Sequence, residues 1–190
     1  MRINVESIFV DIHSNPNGFR ENSLKGNGVG RESETFKPIT AWDAGVVTVF
    51  IAGDSDILVQ PRQSLNSIAP AIRTARVREY WSMACPESIA REVRFGLGEL
   101  QIQSQELAGD IVGLATAFLD QFGLPQAKLR IELTRSQSCP KFHCDYLNVR
   151  LVTTYFGPTT QYQYAGEDTV HHRSPEVPIG EKRLCVAIDF

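Results

Sequence analysis

A chain of 190 residues is the size of one domain, and 42% apolar content is ordinary for a protein with a buried core. The formal net charge of −3 gives no support to bulk nucleic-acid binding, and no apolar run approaches the about 18 residues of a membrane span. Cys85, Cys139, Cys144 and Cys185 form neither a C-x-x-C pair nor a dense framework, which argues against a disulfide scaffold. Glu6 and Asp11 interrupt the start of the chain where a secretory leader would be apolar, so the expected location is cytoplasmic.

Residues 1–36 are expected to be an irregular segment. They contain the turn signal Asn15-Pro-Asn-Gly18 and the glycine-rich Lys25-Gly-Asn-Gly-Val-Gly30, with Val5, Ile8, Phe9 and Val10 docking as one short strand. The glycine-rich stretch lacks the Gly-Lys-Ser/Thr ending of a phosphate loop. From residue 37 to 190 the pattern predicts a single α+β domain. Val46 to Ala52 reads as a buried strand, closed by a turn at residues 54–56. Residues 64–78 read as a helix with Leu65, Ile68, Ile72 and Val77 on an imperfect stripe that Pro70 interrupts. Arg73, Arg76 and Arg78 cluster there, as a solvated basic face or, more sharply, as a contact for an anionic partner. Tyr80, Trp81 and Met83 are expected in the core or a pocket wall. Pro86 opens a short helix over residues 86–94.

The clearest helix covers residues 104–122, where Leu107, Ile111, Leu114, Ala115, Phe118 and Leu119 recur at three- and four-residue steps before Gly123 and Pro125. The period then switches to two. Leu129, Ile131 and Leu133 alternate with polar residues; Val149, Leu151, Thr153 and Tyr155 alternate with Asn148, Arg150, Val152 and Thr154, and Leu184, Val186 and Ile188 with Arg183, Cys185, Ala187 and Asp189; residues 159–164 are also strand-like. Helices in the middle and strands in the last third predict an α+β class.

The chemistry-bearing stretch is residues 139–156, which holds His143 and Asp145 one residue apart. On an extended backbone both side chains face one point. They make two thirds of a 2-His-1-carboxylate set of the kind that holds non-haem Fe(II) with open positions. His171 and His172 are the only histidines further along. A surface His beside a solvated Asp is the plainer reading of the spacing alone. Cys139-x-x-x-His143-Cys144 also invites zinc, but adjacent His and Cys are awkward ligands for one tetrahedral site.

The composite Cys139-Pro-Lys-Phe-His143-x-Asp145, Arg150-Leu-Val-x-Thr-Tyr155-x-Gly157-Pro-x-Thr160-Gln, His172-Arg-Ser-Pro175 and Arg183-Leu-x-x-x-Ile-Asp189 resembles an uncharacterised, mainly bacterial domain-of-unknown-function family, over roughly residues 37–190. Its C-terminal part resembles the double-stranded β-helix, a jelly-roll or cupin-like fold, of Fe(II)/2-oxoglutarate-dependent oxygenases. The resemblance implies a helical N-terminal layer packed on a small double-stranded β-helix, with the metal site in residues 127–190. It implies His143, Asp145 and His172 as iron ligands, with His171 as the alternative distal one, and Arg183 as partner of the far carboxylate of 2-oxoglutarate. Tyr155 or Thr153 would add a hydroxyl donor, and Arg150 is a second candidate for the carboxylate. Iron so held keeps two positions for the oxo acid and one for O2.

Only 26 residues separate Asp145 from His172, fewer than the about 30 that four strands and their turns need. The implied barrel is therefore abbreviated or has lost a segment. Two other functions stay open: a non-catalytic module that binds a metal or small ligand, and a degenerate relative with neither. The substrate is not readable from these residues.

Overall fold

The computed structural model describes residues 5–12, 42–53, 57–63, 65–135, 147–158, 160–162, 170 and 182–190, with residues 5–12, 61–63 and 66 as backbone. Ten elements follow in chain order: β1 (Val5–Ile12), α1 (Ala44–Ala52), β2 (Ile57–Gln63), α2 (Ala69–Thr74), β3 (Arg78–Ala84), α3 (Ile89–Glu99), α4 (Gln105–Phe122), β4 (Ala127–Thr134), β5 (Val149–Phe156) and β6 (Arg183–Asp189). The fold is α+β. Strands β5, β6, β4 and β3 make one open antiparallel sheet, and β1 then β2 continue it from the β5 edge, in the order β2-β1-β5-β6-β4-β3.

The two-residue alternation decides which side chains meet the helices. Leu129, Ile131 and Leu133 on β4, Val149, Leu151 and Tyr155 on β5, and Leu184, Val186 and Ile188 on β6 belong to the core with Leu107, Ile111, Leu114 and Phe118 of α4. The register aligns them: Ile131 faces Val186, and Leu151 faces Ile188. The opposite face carries Trp81 and Met83 on β3, Arg130 and Glu132 on β4, Arg150 and Thr154 on β5, and Arg183, Cys185, Ala187 and Asp189 on β6. This second face is open at β3, where Trp81 is 60% exposed, and closed at β6, where Ala187 is 1% exposed.

Helix α4 follows its sequence pattern. Ser104 caps it by accepting from Leu107 N at 3.2 Å, and Gly123 ends it in the left-handed region at φ 61°. Other elements depart from expectation. Residues 46–52 are helical, not a strand. Asp43 accepts from Val46 N at 3.0 Å and so nucleates α1, overriding the β-branched run Val46-Val47-Thr48-Val49. Only Val47 and Phe50 of α1 are buried, three residues apart, as a helix dictates.

Residues 64–78 do not form one helix. They make a 3-10 turn (Asn66–Ile68) and the short α2, where Pro70 sits in the first turn and interrupts nothing. The strands β2 and β3 had no clear sequence signal. β2 contains Pro61, which is tolerated because β2 is an edge strand. On β3 the alternation puts Tyr80 against the core but sends Trp81 and Met83 out to the second face, where they are exposed and not part of the core. Trp81 instead lies under the Lys128 ammonium, 5.1 Å from its ring centre. Helix α3 starts later than expected and runs five residues further, to Glu99. Within residues 160–162 the only pairing is an isolated bridge at Tyr162.

Leu114→Ala is expected to cost roughly 2–5 kcal/mol because it empties a site 2% exposed between α4 and the core. Asp43→Ala is expected to cost about 1 kcal/mol by removing the α1 cap. Urea unfolding of both variants measures these losses.

Candidate functional site

Of the residues implicated by sequence, Arg183, Arg150 and Tyr155 lie among the described residues. His143, Asp145, His171 and His172 lie outside them, as do Cys139 and Cys144. Among the described residues no group of three or more His, Cys, Asp or Glu is arranged to hold a metal ion.

Arg183 opens β6 opposite Thr134 of β4, half-buried on the second face. Neutral acceptors surround its guanidinium. Nε donates to the Pro158 carbonyl at 2.9 Å, and one terminal nitrogen donates to Thr160 Oγ1 at 2.8 Å and Thr154 Oγ1 at 3.4 Å, with Cys185 Sγ at 3.6 Å. Among the described residues no carboxylate lies within ion-pair distance of it. A half-buried cation without a counter-charge is costly in isolation, and an anionic ligand would relieve that cost.

Arg150 is differently placed. It faces the same side, but its Nε and one terminal nitrogen grip the two carboxylate oxygens of Asp189 at 2.7 and 3.1 Å. Both members are largely buried, with side chains 18% and 8% exposed. The fork ties β5 to β6 across the register pair Arg150↔Asp189 and leaves Arg150 committed to a protein carboxylate. Tyr155 is on the other side of the sheet. A bulge between Thr154 and Phe156 disturbs the β5–β6 ladder, and the Tyr155 hydroxyl donates to Asp110 Oδ2 of α4 at 2.6 Å. Thr153 shares that helix-facing side and is fully buried. Neither hydroxyl is directed toward Arg183.

Cys185, 5% exposed, neighbours Arg183 on the second face. Burial pushes its thiol up, with the charges of Arg183 and Arg130 opposing, so it is a poor nucleophile. Thr154, Thr160 and Asp189 carry site geometry that the motif reading did not assign. Alternation from Arg150 puts Thr154 on its side of β5. The pairing of Asp189 with Arg150 needs the strand register, which no local pattern contains.

These features define an α+β protein with a helical layer on one face of an antiparallel sheet and a neutral-walled arginine on the other. The family described as "Protein of unknown function (DUF1826)" matches residues 59–167, more than half of the chain, and the chain belongs to that family. No curated protein and no solved structure matches it. No helix among the described residues is long and apolar enough to cross a membrane.

Arg150→Met should destabilise the fold by about 3 kcal/mol, because it strands the Asp189 carboxylate on a buried strand. Arg150→Met with Asp189→Leu should recover most of that loss. Denaturant midpoints of the two variants test the pair, and equal losses would show that the stranded charge is not the cause.

Proposed function

We propose that this protein is an Fe(II)/2-oxoglutarate-dependent oxygenase-like protein built on an abbreviated double-stranded β-helix, with Arg183 holding the distal carboxylate of the oxo acid. The observation that carries the reading is Arg183 itself. It is half-buried on the sheet face away from the helices, gripped by neutral acceptors and without a carboxylate partner among the described residues. A planar guanidinium suits a carboxylate because it can donate two parallel hydrogen bonds.

Strand order adds support. β6 comes last in sequence yet lies between β4 and β5. A sheet acquires that order when the chain leaves it between strands and returns, as in the double Greek keys of jelly rolls and cupins. The sequence motif supplies the rest of the reading: His143, Asp145 and His172 would hold the metal. Arg150 and Tyr155 are left out of the subsite, the first because Asp189 occupies it and the second because it faces α4. Bound Fe(II) would supply coupled oxidation of the oxo acid and of a substrate C–H bond by O2, with one oxygen atom ending in succinate beside released carbon dioxide and the other in the hydroxylated substrate. The role of this chain's residues is to orient the oxo acid and to neutralise its far carboxylate.

The test is anaerobic titration of the full chain with Fe(II), then with 2-oxoglutarate, followed by a succinate assay in air. The expected result is metal-dependent binding of 2-oxoglutarate that Arg183→Leu abolishes while Fe(II) affinity is kept. Binding without succinate formation would favour a non-catalytic ligand-binding module. Failure of the wild-type chain to bind 2-oxoglutarate in the presence of Fe(II) would overturn the proposal.

A further inference from the structure

Lys182, immediately before Arg183, has surroundings that the oxo-acid reading does not use. Its ammonium donates to the main-chain carbonyls of Ala75 at 2.6 Å, Arg73 at 2.7 Å and Ile72 at 3.2 Å. An ammonium has three donors, and three acceptors meet it. All three carbonyls belong to the last turn and C-cap of α2, where the helix dipole favours a cation; Ile72 O also accepts from Ala75 N at 3.3 Å. The same end of α2 is fastened on another side, where Arg76 N donates to Leu100 O at 2.8 Å.

Residues 182 and 183 are also held from β5. Gly157 adopts φ 85°, and a Cβ there would press on the Lys182 carbonyl and come within 3.0 Å of Arg183 Cα. Only glycine combines that backbone with so close an approach. The next residue, Pro158, offers its carbonyl to Arg183 Nε. The start of β6 is thus pinned between the end of α2 and the turn after β5.

We infer that Lys182 is a positioning residue for Arg183, one whose seat on carbonyls brings no carboxylate beside it. This inference rests on the proposed oxo-acid site. A carboxylate partner for Lys182 would bring a negative charge to the residue next to Arg183, where it would oppose an anionic ligand. Carbonyl dipoles hold the ammonium without cancelling its charge. The shell around Arg183 follows the same rule, since Pro158, Thr154 and Thr160 are all neutral. Lys182 itself reaches the helix side of the sheet, so it acts on a ligand only through the backbone that places Arg183.

The experiment uses the full chain with Fe(II) and 2-oxoglutarate as probes, and compares the wild type with Lys182→Met, Lys182→Arg and Gly157→Ala. Lys182→Met should weaken 2-oxoglutarate binding by about ten- to a hundredfold, the scale of a site misplaced by about 1 Å, while Fe(II) affinity is unchanged. Gly157→Ala should act in the same direction, and Lys182→Arg should restore part of the loss. Hydrogen exchange supplies a readout independent of the ligand: in Lys182→Met, amides at the start of β6 should exchange faster while those in the middle of β4 do not change. Wild-type affinity in Lys182→Met would overturn the inference. If the wild type binds no 2-oxoglutarate, the proposed function fails on its own, and hydrogen exchange decides the clamp: unchanged exchange at the start of β6 overturns it. If Lys182→Met does not fold, Lys182→Gln carries the same comparison, with two N–H donors and no charge.

Discussion

The structure depends on β6 being a strand with two buried faces. From Leu184 to Asp189 every residue is buried. A strand in that position cannot alternate apolar and polar side chains, and Leu184-Cys-Val-Ala-Ile188 does not. Among the described residues β6 is the one strand that links β4 and β5, which do not pair with each other. The β3–β4 pair and β5 therefore belong to one sheet only through the pairing of residues 183–189 with both, although these come last in the sequence. Every contact that β6 makes with its two neighbours is distant in sequence, the kind of pairing that folds slowly because chain entropy is lost before contacts repay it.

That geometry also explains why the polar residues of β6 stand at its two ends. Arg183 and Asp189 flank an apolar middle. A charge at the centre of a doubly buried strand would need a counter-charge in the core of the sheet. At the Asp189 end the need is met by Arg150 across one register pair. At the Arg183 end it is met by main-chain and hydroxyl oxygens. The two ends thus use opposite solutions. One is an internal ion pair that locks β5 to β6. The other is a cation that keeps its charge uncompensated by carboxylate among the described residues.

The elements that could be read from sequence are those whose pattern is long and local. α4 combines eighteen periodic residues with a serine cap and a glycine stop, β4 and the first half of β5 repeat at two, and β6 is a short apolar run. What failed was short or dependent on a single capping atom. α1 has nine residues, many of them β-branched, and its helical state hangs on the Asp43 carboxylate. β3 carries Trp81 and Met83, whose apolar character suggested burial, whereas an edge strand leaves its outer side chains to water. The candidate site was legible in the same partial way. Alternation with Leu184 and Val186 placed Arg183 on the face away from the helices. That Arg150 would be occupied by Asp189 depends on register, and that Lys182 would reach α2 depends on tertiary packing; neither is written locally.

The two faces of the sheet differ in what they can do. The helix-facing side is filled by aliphatic residues, and its polar contact between Tyr155 and Asp110 fixes α4 to β5. The second face changes along the sheet, from exposed Trp81 and Met83 on β3 to buried Cys185 and Ala187 on β6. Electrostatic interactions strengthen as water is removed, so a guanidinium on the covered middle strands β5 and β6 is less screened than one at the β3 edge. At the β3 end the same group would be screened by solvent. Arg183 stands on one of these covered strands, beside the turn and the short helix that fix its backbone. β6 pairs with both of its neighbours at long range, so the position of Arg183 is set only once β6 has paired with β4 and β5.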